Sequence, residues 1–297
     1  MDKVQSTVRA RPTLRMHDVA DESFVADYRE LGFAVLRQAL SREEVEELNA
    51  EAVRLVRDLT APRPTSDGSV AAGDVLRSVH CLHYPHKASR LMREALAHPA
   101  VVRALTAVIG PDVKAMQSMY FVKGEGKPGQ AWHQDEHFIP TRDRSLTAAW
   151  VALDDATTEN GCLWVLPGSH RRGVLYPDRE VDDLRFDCNT EAYGYPYTDD
   201  EAVPVEVPSG AVLMFNGYLL HRSLPNTGRH GLRRALVNHY MTAQSLLPWR
   251  EVEGEHFGEY DFRDVVLVAG ADPYAYKGVR DVSRPHTRAD RSGGCDR

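Results

Sequence analysis

Apolar residues early in the chain recur at helical spacing and then give way to a short continuous run. A helix is predicted from Glu22 to Leu31, and Gly32 is a suitable residue to end it. The apolar run 33–36 predicts a strand directly after it. Residues 1–20 show no comparable pattern and are expected to form a loosely held arm. The fold is therefore expected to begin with a helix followed by a strand.

The clearest helical pattern follows this strand. Ser41 and Glu44 form a capping box, which marks a helix start. The apolar positions then keep a helical period, and they are Val45, Leu48, Ala52, Leu55, Val56 and Leu59. Two more helices are predicted, one capped by Ser89 and one that begins at Pro99 and stops at Gly110. The first part of the chain is thus mainly helical.

From Val113 to Met241 the pattern changes to short β-prone runs separated by turn residues. The runs are 113–123, 131–139, 147–153, 162–166, 203–207, 211–215 and 234–242. Short strands at such intervals predict a barrel or a sandwich. A preceding group of helices fits packing on one face of the sheet, so the expected fold class is α+β and mainly β.

Two segments before the β-prone region do not follow these patterns. Residues 61–74 are rich in Pro, Ser, Gly and Asp and are expected to form a loop. The histidines His80, His83 and His86 are three residues apart, but Pro85 disfavours a long helix there. We expect partly exposed loop histidines. The alternative is that His83 or a neighbour lines the mouth of a pocket.

Two more segments lie towards the end of the chain. Residues 171–203 form a long insertion without a strand or helix pattern, which predicts either a lid over the site or a solvated loop. The tail 283–297 is expected to be disordered.

Composition limits the class of protein. The chain of 297 residues is 42% hydrophobic and carries a net charge of −7, which fits one globular domain and argues against a nucleic-acid-binding surface. No apolar run approaches the ~18 residues of a membrane span, and the polar N-terminus lacks a secretory signal. The four cysteines are scattered, so we expect a reducing cytoplasm.

The stretch Ala131–His137 carries the strongest chemical signal. If it is extended, His133 and Asp135 lie on one face and can bind one ion. His221 is the best candidate for a third ligand. Two histidines and one carboxylate, with other coordination positions open, are the ligand set of non-haem Fe(II) oxygenases. His137 would share the same face, so H-x-D-x-H is a rival metal set.

Two adjacent arginines open the apolar run that ends in Tyr240. A guanidinium at the start of a buried strand needs an anionic partner, and a small dicarboxylate is one candidate. Because neighbouring strand residues point to opposite faces, only one of Arg233 and Arg234 can enter a pocket.

Four segments together resemble the phytanoyl-CoA dioxygenase (PhyH) family of Fe(II)- and 2-oxoglutarate-dependent oxygenases. They are Gln117–Lys123, the W-H-Q-D string at 132–135, the N-G-C-x-x-x-x-P-G-S-H string at 160–170, and His221–Ser223 with Asn226 and Arg233. The resemblance spans most of the chain. It implies a double-stranded β-helix, a jelly-roll or cupin-like core, with flanking N-terminal helices. The segment 272–278 also resembles the family and is expected to pack on the fold.

The resemblance also implies the roles of particular residues. His133, Asp135 and His221 match the family's iron ligands, and Arg233 matches the anchor of the distal carboxylate of 2-oxoglutarate, with Arg234 as the alternative. Cosubstrate contacts are expected at Gln117, Met119 and Trp150. Met119 could equally serve only to fill the core.

The predicted function is oxidation of an unactivated C–H bond of a small molecule, by hydroxylation, desaturation or cyclisation. It uses Fe(II), O2 and 2-oxoglutarate, which is converted to succinate and CO2. The family is frequent in specialised metabolism, and we expect a role there. The net charge and the lack of an apolar span predict no nucleic acid or membrane as partner, and the oligomeric state is left open. Two alternatives are a non-redox cupin-like binding protein and a zinc-dependent hydrolase that uses His133, His137 and His221.

Overall fold

The computed structural model describes residues 13–60, 75–76, 79–187, 190–228, 231–247 and 263–289. The helices in these ranges are α1 (Glu22–Leu31), α2 (Arg42–Thr60), α3 (Arg90–Leu96), α4 (Pro99–Ile109) and the single-turn α5 (Asp135–Phe138). No helix in them is long and apolar enough to cross a membrane.

The strands begin before α1 and continue to the end of the described chain. They are β1 (Met16–His17), β2 (Phe33–Leu36), β3 (Val79–His83), β4 (Val113–Lys123), β5 (Gln130–His133), β6 (Thr147–Ala152), β7 (Leu163–Val165), β8 (Asp178–Glu180), β9 (Thr190–Ala192), β10 (Val203–Val205), β11 (Val212–Asn216), β12 (His221–Ser223), β13 (Arg233–Thr242), β14 (Val266–Ala269) and β15 (His286–Ala289).

Two sheets form the core of the described fold. The larger sheet has the order β1-β2-β11-β6-β13-β4-β3-β15, with β14 also paired to β4, and the smaller has the order β10-β7-β12-β5. All pairings in both sheets are antiparallel except that of β1 with β2. This architecture confirms the predicted double-stranded β-helix of class α+β, mainly β.

Alternating side chains of the larger sheet build two separate cores. Along β11, Val212 and Met214 pack with the helices, whereas Leu213 and Phe215 pack between the two sheets. The same alternation occurs in β6, where Trp150 faces the inside of the sandwich. Because successive strand residues point to opposite faces, one continuous apolar strand can pack against the helices with one face and line the space between the two sheets with the other.

The predicted capping signals, Gly32 after α1 and the capping box of α2, are confirmed, and Asp21 adds a cap that was not predicted. The Asp21 side chain accepts hydrogen bonds from the backbone of Ser23 and Phe24, and Gly32 ends α1 in the left-handed conformation. At α2, the backbone N–H of Ser41 donates to Glu44 Oε2 at 2.7 Å, and the N–H of Glu44 donates to Ser41 Oγ at 3.2 Å. The capping box is therefore formed in both directions.

The rest of the helix prediction is confirmed with one exception. The predicted apolar face of α2 is buried up to Val56, but Leu59, in its last turn, is 42% exposed. Ser89 caps α3 through the backbone N–H of Met92, and Pro99 opens α4 at its first turn. The predicted loop 61–74 lies outside the described residues.

The expectation of partly exposed loop histidines is wrong for His80 and His86, which are buried, and His83 lies in a strand instead of a loop. Residues 79–83 form β3, an inner strand of the larger sheet, because β4 and β15 pair with it on either side. His80 and His86 are buried, and His83 stacks on His286 of β15 with ring centroids 4.7 Å apart. The prediction of a disordered tail is wrong for 286–289, which form β15, while 290–297 lie outside the described residues.

Two expectations for other segments also need correction. The arm is packed where it is described, since Met16–His17 pairs with Val35–Leu36, and residues 1–12 lie outside the described ranges. The insertion 171–203 contains the hairpin β8–β9 and short 3-10 turns, so it is not without structure. Tyr274 accepts a hydrogen bond from Arg142 at 3.0 Å, so the segment 272–278 packs on the fold as predicted.

Acid should destabilise the fold through its buried histidines. Burial lowers the pKa of His83 to about 4, with the charges of His286 and Arg288 acting in the same direction. Burial also lowers the pKa of His86 to about 4, with Lys87 as the next cause. The unfolded chain takes up these protons near pH 6.5, so stability should fall as the pH drops from there towards 4, by up to about 1.4 kcal/mol per pH unit for each histidine.

Urea unfolding at a series of pH values measures this slope. His86→Gln removes one proton-binding group and should flatten the dependence between pH 6.5 and 4. An equal slope in the parent and the variant would contradict the assignment.

Candidate metal centre and adjoining cavity

Two histidines that are 88 positions apart meet in the smaller sheet. His133 ends β5 and His221 begins β12, and the two are direct partners across this strand pair. Their imidazole centroids are 4.0 Å apart. The sheet register thus brings two nitrogen ligands together without help from any loop.

Each ring is oriented by a backbone carbonyl. His133 Nδ1 lies 2.8 Å from the carbonyl oxygen of Ala131, and His221 Nδ1 lies 3.0 Å from that of Leu219. A carbonyl oxygen only accepts, so each Nδ1 carries the proton and each Nε2 keeps a free lone pair. Metal-bound histidines in proteins use this arrangement.

Asp135 supplies an oxygen to the same point. Its Oδ1 lies 3.8 Å from His133 Nε2 and 3.6 Å from His221 Nε2. The expectation that residues 131–139 are extended is wrong, because β5 ends at His133 and Asp135 is the first residue of α5. The turn is closed by bonds from His137 N to Gln134 O and from Ile139 N to Asp135 O. The carboxylate therefore reaches the two histidines from a helical turn.

The structure does not bring His137 into this cluster. Its side chain is 41% exposed and its Nε2 lies 3.1 Å from Asp178. The rival H-x-D-x-H set fails because the helical turn directs His137 away from Asp135. Among the described residues, His133, Asp135 and His221 are the group whose ligand atoms all lie within 4.8 Å of one another.

A fourth histidine, which sequence reasoning missed, holds Asp135. His239 Nε2 lies 3.1 Å from Asp135 Oδ2, and because an ionised carboxylate only accepts, the imidazole donates. This bond occupies one carboxylate oxygen and leaves Oδ1 for the cluster. The signal was available, since His239 is six residues after Arg233 on β13 and an even spacing puts both on one face.

The protonation states suit a divalent metal. Burial lowers the pKa of His133 to about 3, with the charge of His221 as the next cause. Burial by itself would raise the pKa of Asp135, but His221 and His239 outweigh it and hold that pKa below its ordinary value. Two imidazole nitrogens and one carboxylate oxygen fit ferrous iron, with positions left for other ligands.

A cavity of about 360 Å³ adjoins the cluster. All seven residues singled out from the sequence line it, namely Gln117, Met119, His133, Asp135, Trp150, His221 and Arg233. They come from five strands and α5, and the odd-numbered positions of β4 from Gln117 onward and Arg233, Val237 and His239 of β13 face this side. Lys123 and Ser223 also line the cavity, and the alternation that places Met119 there could have identified Lys123 as well.

The two adjacent arginines have separate environments. Arg234 forms a bidentate ion pair with Asp154, at 2.7 Å through Nε and 2.6 Å through Nη2. Arg233 is buried against the Trp150 ring, 5.5 Å from its centroid, and its Nε has no hydrogen-bond partner in the described chain. Arg233 is therefore the arginine that faces the cavity.

The two residues of the W-H-Q-D string that do not belong to the metal cluster, Trp132 and Gln134, also form hydrogen bonds. Gln134 Nε2 donates to the carbonyls of Val174 at 3.0 Å and Tyr218 at 2.7 Å, and its Oε1 accepts from Tyr176 N at 2.8 Å. Trp132 Nε1 donates to Asp199 at 3.1 Å. Val174, Tyr176 and Asp199 belong to the insertion 171–203, so the two residues that alternate with His133 and Asp135 bind the insertion.

Comparison with known proteins gives a family match and curated relatives. The model of the phytanoyl-CoA dioxygenase (PhyH) family matches residues 28–235. "Phytanoyl-CoA dioxygenase 1" from Oryza sativa subsp. japonica is 41% identical over 128 residues, which are 41% of this chain and 44% of that protein. The chain thus spans less than half the length of this relative.

Solved structures with the same fold have low sequence identity. The non-heme monooxygenase ThoJ, in its apo form, has a TM-score of 0.65 at 22% identity, covering 84% of each chain. The non-heme alpha-ketoglutarate-dependent carbocyclase SnoK from nogalamycin biosynthesis has a TM-score of 0.61 at 20% identity, covering 84% of this chain and 96% of its own. These similarities establish the fold.

Removal of the His239 side chain should weaken metal binding. His239→Ala frees Asp135 Oδ2 and the carboxylate can rotate, so we expect Fe(II) affinity to fall about 10- to 100-fold. His239→Gln keeps an N–H donor and should recover part of the loss. Anaerobic Fe(II) titration measures both.

His137→Ala is the matched control, since His137 is close in sequence to the cluster but directed away from it. It should bind Fe(II) as the parent does. The assignment fails if His137→Ala loses as much affinity as His239→Ala, or if neither variant loses any.

Proposed function

The chain belongs to the phytanoyl-CoA dioxygenase (PhyH) family, and on this basis we propose that it is a non-haem Fe(II)- and 2-oxoglutarate-dependent dioxygenase. Its substrate in this proposal is a small molecule, of which it oxidises a C–H bond. The observation that carries the proposal is the convergence of His133, Asp135 and His221 within 4.8 Å beside a cavity that contains a buried arginine.

In this proposal His133 and His221 contribute Nε2 and Asp135 contributes Oδ1 to the iron. Bound iron, together with 2-oxoglutarate and O2, supplies the oxidising power that attack on a C–H bond requires. The chain holds both imidazoles in one tautomer through the carbonyls of Ala131 and Leu219. The ligands are thus oriented before metal binds, which lowers the cost of assembling the site.

Arg233 is the proposed anchor of the distal carboxylate of 2-oxoglutarate. The described residues offer Arg233 no ion-pair partner. Burial lowers its pKa to about 10, so the guanidinium is still charged at neutral pH. A guanidinium in a buried cavity binds a carboxylate well because it can donate two parallel hydrogen bonds. Gln117, Met119 and Trp150 line the same cavity and are the proposed walls of the cosubstrate site.

The proposed outcome is hydroxylation or another oxidation. Asp135 occupies the position where related halogenases carry a small residue to admit halide, so the carboxylate favours oxygenation. The cavity volume of about 360 Å³ is near the lower end for ligand pockets, which suits a small substrate beside 2-oxoglutarate. A role in specialised metabolism fits the biosynthetic origin of SnoK.

The two alternatives fit the site less well. A zinc hydrolase built on His133, His137 and His221 would need His137, which is bound to Asp178. A non-redox binding protein would have no need for an intact set of three ligands with a histidine behind Asp135.

The described cysteines Cys81 and Cys162 are free thiols, which agrees with the predicted cytoplasmic location, and that location stays a prediction.

The insertion 171–203 is proposed to cover the cavity within a single domain that spans the chain. Gly129, which lines the cavity, exchanges backbone hydrogen bonds of 2.7 Å with Arg185 and Asp187 of the insertion. Gln134, which follows the other end of β5, binds Val174 and Tyr176 of the insertion. The insertion is thus held on both sides of the metal-bearing strand.

Removal of the side chain of one proposed metal ligand should abolish the reaction. His133→Ala and Asp135→Ala each leave two donors, so we expect no charge-transfer absorption with Fe(II) and 2-oxoglutarate under anaerobic conditions. Succinate release should fall to background. The proposal is rejected if the parent protein shows neither signal, or if both variants consume 2-oxoglutarate like the parent.

Gln134→Ala should loosen the insertion. The variant loses the hydrogen bonds of Gln134, which directly follows β5, to Val174 and Tyr176 of the insertion and to Tyr218, so limited proteolysis should cut within 171–203 faster than in the parent. Retained Fe(II) binding would separate this effect from damage to the metal site. Equal cleavage rates would show that Gln134 does not hold the insertion.

A further inference from the structure

One buried carboxylate of the insertion joins the edges of the two sheets. Asp187 donates its backbone N–H at 2.7 Å to the carbonyl of Gly129, which directly precedes β5, the edge strand of the smaller sheet. Its side chain reaches the last two strands of the larger sheet, where it pairs with Arg288 of β15 and lies 3.2 Å from His80 Nε2 of β3. Asp187 therefore links the strand that carries His133 to the edge of the opposite sheet.

Arg288 faces the space between the two sheets. It is the direct cross-strand partner of Cys81 on β3, and Cys81 is in turn the partner of Phe121 on β4, which lines the cavity. Direct partners carry their side chains on the same face of a sheet, so these three side chains form one row. The guanidinium thus lies at the inner side of the sheet edge, where it meets Asp187.

An irregularity in β3 turns His80 towards the same side. The register of β3 with β15 shifts by one residue after Arg288, which leaves His80 as an extra residue on β3. Such a bulge redirects a side chain, and His80 lines the cavity with its ring centroid 5.9 Å from that of Phe121. Burial and then the charge of Arg288 lower the pKa of His80. The imidazole is therefore neutral, and Arg288 is the charged partner of Asp187.

The ion pair is buried enough for its loss to open this side of the fold. The side chain of Asp187 is 8% exposed and that of Arg288 is 21% exposed. Removal of one partner from a buried pair leaves an uncompensated charge, which is unfavourable inside a protein. Without Arg288, the carboxylate is stabilised by moving into water, and the insertion moves with it. Gly129 stays in place, because it packs so closely on β12 that a Cβ would lie 1.9 Å from the Ser223 carbonyl oxygen.

We propose that Arg288 is a positioning residue, which holds Asp187 and thereby clasps the insertion to the C-terminal strand β15, closing the cavity between β3 and β5. The clasp itself does not depend on the proposed function, but its effect on 2-oxoglutarate does. His80 and Gly129 line the cavity, and the charge of Arg233, the proposed cosubstrate anchor, acts on His80. An open clasp admits water to this part of the cavity, and water weakens the attraction between a guanidinium and a bound carboxylate.

Two native thiols report whether the clasp is closed. Cys81 and Cys162 are both 0% exposed, but of the two only Cys81 is a cross-strand partner of Arg288. Labelling of the folded protein with N-ethylmaleimide, followed by peptide mass spectrometry, gives a rate for each thiol. For Arg288→Met we expect Cys81 to react at least about 10-fold faster, because loss of one partner of a buried pair strongly favours opening. The rate of Cys162 should be unchanged.

Four further variants complete the comparison. Arg284→Met removes an exposed cation four residues earlier and should label like the parent. Arg288→Lys keeps the charge and should restore slow labelling in part, and Arg288→Gln replaces Arg288→Met if that variant does not fold. Asp187→Asn removes the other charge. Combined with Arg288→Met it should label Cys81 no faster than the faster single variant, because both changes break one contact.

A second measurement uses the Fe(II)-loaded protein without O2. The charge-transfer absorption of the 2-oxoglutarate complex gives its Kd, which should rise about 10-fold in Arg288→Met as the effective dielectric constant around the bound carboxylate increases. The Kd of Fe(II) should equal that of the parent, because the clasp contains none of the proposed metal ligands. Arg288→Lys should recover part of the 2-oxoglutarate affinity, which distinguishes positioning from general damage.

The outcomes separate the inference from the proposed function. Equal labelling of Cys81 in Arg288→Met and the parent would overturn the inference. Parallel acceleration at Cys81 and Cys162 would indicate general loss of stability and would also overturn it, as would faster labelling of Cys81 with an unchanged Kd of 2-oxoglutarate. If the parent gives no charge-transfer absorption, the proposed function fails, and the labelling rates still support or overturn the clasp.

Discussion

The pairing of His133 with His221 across β5 and β12 is the contact on which the rest of the site depends. Each strand is short, and the smaller sheet that contains them has only four strands among the described residues. A shift of one residue in either strand would turn its imidazole to the opposite face, away from the other histidine. The two carbonyl bonds to Nδ1 add the second constraint, because they direct both Nε2 atoms to the cavity.

Charge is distributed unevenly around this cavity. The side near α5 carries the carboxylate of Asp135, held by His239, whereas the paired ends of β4 and β13 carry Lys123 and Arg233. Both ends are buried, so electrostatic interactions there are stronger than in water. A molecule with a metal-chelating group at one end and a carboxylate at the other matches this distribution. The same electrostatics explain why Arg234, on the opposite face, has its own partner in Asp154 and contributes nothing to the cavity.

The metal strand and the insertion are parts of one unit. The side chains of His133 and Asp135 face the cavity, while those of Trp132 and Gln134 bind the insertion. Any movement of the insertion therefore acts on residues directly next to His133 and Asp135 in the chain. This gives the W-H-Q-D string two roles, and its alternating pattern is the physical reason that both fit into four residues.

Features that depend on near neighbours in the chain could be predicted from the sequence. The capping box at Ser41 and Glu44, the start of α4 at Pro99 and the alternation along β13 were predictable, since each acts over a few residues. The family motifs added the double-stranded β-helix. The tertiary structure decided the features that depend on distant pairing: β3 became a strand through β4 and β15, and the turn of α5 brought Asp135 in while directing His137 away. It also placed Arg233 opposite Lys123 and gave Asp135 its partner His239, because a register between strands is set by the packing of the whole sheet and has no local signal.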